Sequence, residues 1–329
     1  MNQYLKSLTA TQQIGAMFVI VFGCLLLASV AAFLLSLRER GDDAAADAWR
    51  KELARVDGVL RTSWVMAMVF WVGWLSGTGV TLVLFAAVSF FALREFMTLS
   101  PTRRGDHRSL VLAFFVVLPI QYALVGTRHF DLFTVFIPVY VFLAIPVVSA
   151  LANDPARFLE RNAKLQWGIM VCIYGMSHVP ALLLLTFPRY QNKSAFLVFF
   201  LVLVVQTCMV VQYLASRKFR RAPAAPAISE SFNWPAWWTG VLVASVLGGL
   251  LAGITPFAPG QALALSFVAC VAGSLGHLVM KALKRDRGIP SWGRDGVSVT
   301  GAGGLLDRVD GLCFAAPIFF HSVRWYFGL

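Results

Sequence analysis

Long apolar stretches, separated by short polar or charged segments, run through nearly the whole chain. A helix of about 20 apolar residues crosses the hydrocarbon core of a bilayer. The first stretch, 14–37, is too long for the apolar region of a signal peptide, so we interpret it as a retained membrane helix. The pattern predicts an all-α, polytopic integral membrane protein with nine to ten transmembrane helices. The later predicted spans are 63–93, 109–126, 131–151, 166–187, 194–214, 237–255, 262–283 and 311–327.

The segment 63–93 leaves the number of spans open. It contains no charged residue, but Ser76-Gly77-Thr78-Gly79 interrupts its middle. Two short helices would give ten spans with both termini outside, whereas one bent helix would give nine spans and a cytoplasmic N-terminus. The mixed-charge segment 38–62 is predicted to be an amphipathic surface helix. We therefore divide the chain into N-terminal membrane helices, 1–93, and a C-terminal membrane domain, 94–329.

Basic residues are concentrated in alternate loops. Loops 94–108, 152–165, 215–236 and 281–310 carry four, three, four and six Lys or Arg residues, while the connections near 128, 190 and 257 carry one, two and none. Two predicted helices separate successive basic loops, and the positive-inside rule assigns such loops to the cytoplasm. We therefore predict a multi-pass protein of the inner (cytoplasmic) membrane, with its site facing the cytoplasm.

The composition supports a membrane protein and narrows its chemistry. Hydrophobic residues make up 58% of the chain and charged residues 13%, which excludes an ordinary soluble domain. The net charge of +12 lies mostly in loops and favours anionic lipid headgroups over nucleic acid. The five cysteines lie in apolar runs without paired spacing, so we expect neither disulfides nor a zinc site. They are Cys24, Cys172, Cys208, Cys270 and Cys313.

Most of the polar chemistry lies in 273–310, which ends in Leu306-Asp307-Arg308-Val309-Asp310. Together with Lys284-Arg285 and Gly303-Gly304, this segment resembles the signature of the phosphatidate cytidylyltransferase (CDP-diacylglycerol synthase) family, in a divergent bacterial form. That signature runs G-D, S-x-x-K-R, K-D, P-G-H-G-G and L-D-R-x-D. Weaker matches lie at 90–96, Gly175-Met176-Ser177-His178, Gln212-Tyr213 and Pro226-x-Ile228-Ser229.

The resemblance implies transfer of CMP from CTP to phosphatidate or a related lipid phosphate, giving CDP-diacylglycerol and pyrophosphate. It implies catalytic roles for Asp307, Asp310 and Lys284, with Mg²⁺ held by Asp307 and Asp310 if the chain is active. Phosphate contacts are expected from Lys281, Arg285, Arg308, His277, Gly303, Gly304, Gln212 and Ser229. The expected partners are phosphatidate or another anionic lipid, CTP if the chain is active, and a second copy of the chain in a homodimer; nucleic acid is not expected.

Several acids of the family pattern are replaced here, and this puts catalysis in question. Met209, His277 and Ser291 stand where the pattern has Asp. A thioether or an imidazole is a poor ligand for Mg²⁺, so activity should fall by orders of magnitude if metal is needed. However, His277, Lys281 and Lys284 share one helical face and could bind phosphate without metal. The alternative function is a catalytically inactive relative that binds anionic lipid or a partner membrane enzyme.

Structural roles compete with these functional ones. Lys284 and Arg285 could simply extend to the membrane surface, and Asp307 and Asp310 could cap the final helix and pair with Arg308. For His178 we favour a hydrogen bond between helices. Glu95 could be functional or could be a residue of the membrane boundary. A transporter is disfavoured because the central spans carry almost no charge.

Overall fold

The computed structural model describes residues 10–37, 44–100, 102–187, 194–293 and 304–329. Within these ranges the chain is all-α, which confirms the predicted fold class. Its helices are α1 (Ala10–Ser36), α2 (Ala44–Ser76), α3 (Thr78–Thr98), α4 (Arg104–Gly126), α5 (Phe130–Ala150), α6 (Phe158–Gly168, Ile169–Gly175 and Met176–Leu183), α7 (Ala195–Phe219), α8 (Trp234–Leu250), α9 (Pro259–Asp286) and α10 (Leu306–Phe327).

Six helices in the described ranges are long and apolar enough to cross a membrane. They are α3, α4, α5, α7, α9 and α8, the last together with the short turn of helix that follows it. A helix satisfies its backbone hydrogen bonds internally, which a segment surrounded by lipid requires. The chain is therefore a polytopic membrane protein, and the total of nine to ten spans stays a prediction.

The ambiguous segment 63–93 forms parts of two helices. Gly77 separates α2 from α3 and has φ 86° and ψ 176°, a conformation that only glycine adopts readily. The Thr81 hydroxyl donates a hydrogen bond to the Gly73 carbonyl at 2.6 Å, so the two helix ends are tied across this break. Of the two alternatives for this segment, the structure has two separate helices.

Helices α4, α5 and α6 each contain a stretch of wider π-helix: Ala113–Val117, Phe136–Val141 and Ile169–Gly175. The stretch in α6 ends at Gly175, where the α10 backbone comes very close. A Cβ atom on Gly175 would lie 2.3 Å from the Cys313 carbonyl oxygen. Glycine is therefore needed for α6 to support the helix that carries Asp307 and Asp310.

Glycines also let α9 and α10 pack against each other closely. A Cβ on Gly276 would lie 2.2 Å from the Phe314 ring, and one on Gly273 would lie 3.1 Å from the Gly311 carbonyl oxygen. Small residues at a helix contact let the two backbones approach. The cytoplasm-proximal charges predicted on α9 are thereby brought beside the first turns of α10.

The four basic loops meet at one end of the helix bundle. Arg161 of loop 152–165 donates to Asp106 of loop 94–108 at 2.7 Å. Lys281 donates to Ser229 of loop 215–236 at 3.2 Å. The remaining link joins Glu95 to the backbone at the start of α10. These contacts agree with the prediction, made from loop charge, that all four loops lie on one side.

Candidate functional site

Lys284 and Asp307 form the first of two ion pairs between α9 and α10. The Lys284 ammonium nitrogen lies 2.5 Å from Asp307 Oδ1, and both side chains are about 15% exposed. Asp307 Oδ2 accepts two further hydrogen bonds, from the Ser291 hydroxyl at 2.6 Å and from the Trp292 backbone N–H at 2.9 Å. The carboxylate of Asp307 is thus held by three donors from two segments of the chain.

His277 and Asp310 form the second pair. His277 Nδ1 lies 2.7 Å from Asp310 Oδ2, and the Asp310 side chain is only 1% exposed. Asp310 Oδ1 accepts a hydrogen bond from the Gly311 backbone N–H at 2.6 Å. Because an ionised carboxylate only accepts hydrogen bonds, Nδ1 of His277 carries the proton in this contact. The buried Asp310 charge is therefore compensated by a donor one helix away.

The remaining cations of the predicted site are arranged differently from one another. Lys281, between the two pairs on α9, donates to Ser229. Arg285 is exposed and lies away from both acids. Arg308 is partly buried, and its Nε atom has no hydrogen-bond partner within the described part of the chain. The two acids thus pair with α9, and not with Arg308 as the structural alternative had it.

The other predicted phosphate contacts lie around this cluster or outside it. A Cβ on Gly304 would lie 2.7 Å from both Gly293 N and Trp292 Cβ, so glycine permits a close chain crossing there. The Gln212 backbone packs against Gly240, where α7 meets α8. Gly303 falls outside the described residues. The structure thus brings together His277, Lys281, Lys284, Asp307 and Asp310, with Ser229 at their edge.

Glu95 is a residue of this site that the sequence left undecided. Its carboxylate is 1% exposed and accepts hydrogen bonds from the Leu305 and Leu306 backbone N–H groups, at 3.0 and 2.9 Å. The first backbone N–H groups of a helix lack partners within it and favour an anion. Glu95 therefore fixes the start of α10, and its neighbour Phe96 packs on the Trp292 ring with ring centroids 5.2 Å apart.

Met209 packs beside the same turn of α10. Its sulfur lies 3.0 Å from where a Cβ on Gly311 would be. The three positions where the family pattern has Asp, namely 209, 277 and 291, therefore all surround Asp307 and Asp310. This grouping indicates that the resemblance identified one site, although the residue types have changed.

The described residues around Asp307 and Asp310 do not fit a Mg²⁺ ion. All four carboxylate oxygens already accept hydrogen bonds from the protein. Within the described ranges, no three His, Cys, Asp or Glu side chains gather as a metal site would require. Mg²⁺ prefers several hard oxygen ligands in octahedral geometry, and a neighbouring ammonium group opposes it.

His178 differs from its prediction. Its Nδ1 donates to the Tyr174 carbonyl within α6 at 2.7 Å, and its Nε2 has no hydrogen-bond partner among the residues described. The expected hydrogen bond between helices is therefore wrong. The ring instead packs against Phe133 and Phe320, with centroids 4.6 and 5.2 Å away, so its contact with neighbouring helices is aromatic.

Comparison with known proteins agrees with this geometry. The model of the "Cytidylyltransferase family" matches residues 59–326. The chain belongs to this family. It is 32% identical over 269 residues to the "Uncharacterized protein YnbB" of Escherichia coli (strain K12), and the match covers 81% of this chain and 86% of that one.

Two relatives carry a functional name. The phosphatidate cytidylyltransferase of Mycobacterium leprae (strain TN) is 32% identical over 175 residues, which cover 52% of each chain. That of Rickettsia felis (strain ATCC VR-1525 / URRWXCal2) is 27% identical over 149 residues, 42% of this chain and 63% of its own. The family named from the signature is thus confirmed. The activity in these names is that of the relatives.

Proposed function

We propose that this protein transfers CMP from CTP to phosphatidate or a related lipid phosphate, giving CDP-diacylglycerol or its counterpart and pyrophosphate. The observation that supports this best is the packing of α9 against α10, which gathers His277, Lys281 and Lys284 with Asp307 and Asp310. Membership of the cytidylyltransferase family and the names of two relatives supply the substrate class.

The reaction joins two anions, so the site must lower their repulsion. An oxygen of the lipid phosphate attacks the α-phosphorus of CTP, a new P–O bond forms, and the bond to the bridging oxygen breaks so that pyrophosphate leaves with the electron pair. Lys281 and Arg308 are the cations of the cluster that no carboxylate neutralises within the described residues, and they would hold the phosphates. The Lys284–Asp307 and His277–Asp310 pairs would set the position of α9 against α10.

We also propose that this site faces the cytoplasm from the inner membrane. The four basic loops meet at the end of the bundle where α9 ends and α10 begins. CTP is a cytosolic nucleotide, and the positive-inside rule favours the same side. A homodimer stays a prediction from the sequence.

A second candidate function is binding of anionic lipid, or of a partner membrane enzyme, without CMP transfer. One observation favours it: every oxygen of Asp307 and Asp310 already accepts a hydrogen bond from the protein. Carboxylates engaged in this way are poorly placed to take part in nucleotide chemistry, whereas Lys281 and Arg308 could still contact a lipid phosphate.

The two candidates are separated by a transfer assay with purified protein in nanodiscs that contain phosphatidate. CTP labelled at the α-phosphate and MgCl₂ are added, and label in the lipid fraction is counted. Label in the wild type and in Asp131→Asn, an exposed acid far from the site, together with its loss in Asp310→Asn, supports transfer. Absence of label with retained binding of phosphatidate vesicles supports the binding function and overturns the transferase.

A further inference from the structure

We infer that the chain's own donors take the place of a divalent cation at Asp307 and Asp310, so that the site binds an anionic lipid phosphate without metal on these acids. This inference concerns the site of the proposed function and rests on that assignment. It does not depend on whether CMP transfer follows binding, and the experiment below keeps the two apart.

The contacts of the two acids carry the inference. Lys284 and Ser291 donate to the two different oxygens of Asp307. His277 and the Gly311 backbone N–H donate to the two oxygens of Asp310. A metal ion could bind either carboxylate only by displacing or crowding one of these donors, and Lys284 is already charged.

The replaced positions strengthen this interpretation. His277 and Ser291 stand where the family pattern has Asp, and each now donates to one of the two acids that remain. Two carboxylates that would repel Asp307 and Asp310 without a metal have thus become two hydrogen-bond donors that stabilise them. The substitutions are complementary to the remaining acids in type and in position.

The site keeps positive charge for a ligand after this pairing. Arg308 Nε is buried and has no hydrogen-bond partner in the described ranges, although it follows Asp307 directly. A buried donor without an acceptor is costly, and a phosphate oxygen would satisfy it. Lys281 lies on α9 between the two ion pairs and adds a second cation. The class of ligand that fits is a lipid phosphate monoester.

The test measures Mn²⁺ binding by electron paramagnetic resonance, without nucleotide, in nanodiscs of phosphatidylcholine. We expect no Mn²⁺ site in the wild type that depends on Asp310. In the double variant His277→Asp/Ser291→Asp, which restores acids beside Asp307 and Asp310, we expect Mn²⁺ affinity to rise by about tenfold or more. An Mn²⁺ site in the wild type that Asp310→Asn removes would overturn the inference, and so would a folded double variant that binds no better than the wild type.

A second measurement covers the case in which the double variant does not fold. Wild-type protein is bound to vesicles of phosphatidylcholine with phosphatidate, in excess EDTA or in MgCl₂. We expect equal binding in both, and weaker binding for Arg308→Gln but not for Lys218→Gln, an exposed cation outside the cluster. Binding that EDTA abolishes would contradict the inference. Absence of label in the transfer assay above would remove the transferase while leaving these binding results unaffected.

Discussion

At the scale of single residues, Glu95 shows how one buried side chain positions the site. Its carboxylate receives the Leu305 and Leu306 N–H groups, and the turn that follows carries Asp307 and Asp310. A buried carboxylate is costly unless it is fully bonded, so its presence in an apolar helix indicates a specific structural task. Glu95 connects α3 to α10, which are far apart in sequence.

Glu95→Gln should therefore destabilise the protein. An amide offers one acceptor oxygen, so one N–H at the start of α10 would face an NH₂ group. We expect a loss of about 1–3 kcal/mol in the free energy of unfolding, the usual range for a hydrogen bond to a charged group. Unfolding in detergent measures it, with Glu160→Gln as the control, because the Glu160 side chain is 47% exposed. Equal effects of both substitutions would contradict this role.

At the scale of helices, the contact between α9 and α10 decides whether the two ion pairs form. His277 and Lys284 lie on α9, whereas their partners lie on α10, and Gly273, Gly276 and Gly311 allow the two backbones to approach. The charged groups therefore depend on residues without side chains. Any change that widens this contact should act on both ion pairs at once.

Gly276→Ala should weaken both folding and ligand binding. The added Cβ would lie 2.2 Å from the Phe314 ring, so α9 and α10 must separate. We expect a loss of roughly 1–3 kcal/mol, as for overpacking elsewhere. Gly260→Ala is a matched control in the same helix, because a Cβ there meets nothing within 4 Å. Thermal unfolding of both variants checks this, and a Gly276→Ala protein as stable as the control would refute the close contact.

At the scale of the whole molecule, the contacts among the four basic loops imply a defined orientation in the membrane. Loop 215–236 should face the cytoplasm, and the connection between α4 and α5 should face the other side. Lys218 and Thr127 are exposed positions in these two regions. Four of the cysteines are buried, namely Cys172, Cys208, Cys270 and Cys313.

Cysteine labelling tests this orientation. In a Cys24→Ser background, Lys218→Cys should react with a membrane-impermeant maleimide only in inside-out vesicles, and Thr127→Cys only in spheroplasts. The physical reason is that the reagent reaches only the exposed side of the bilayer. Labelling of both positions from the same side, or in the reverse order, would show that the predicted orientation is wrong.

The helices could be predicted from the sequence because apolar runs of spanning length have few other structures open to them. Helix ends were predicted less well. The final helix begins at Leu306 and not at 311, because Asp307 and Asp310 are paired within the protein and so remain helical. Charge alone suggested a loop there, since the partners come from another helix.

The site was predictable in place but not in its bonding. Spacing put His277, Lys281 and Lys284 on one face, and the structure has the first and last of these paired with acids of α10. Ser291 looked like a lost acid, yet it donates to Asp307. That contact depends on how the segment after α9 returns to α10, which no local pattern reveals.

The central claim is that the remaining acids of α10 are neutralised by side chains of the same chain. A double-mutant cycle on Lys284→Met and Asp307→Asn, followed by unfolding in detergent without divalent metal, tests it most directly. The account predicts a coupling energy of about 1–3 kcal/mol, as for groups in one bonded network. A coupling energy near zero, with each single variant folded, would contradict it.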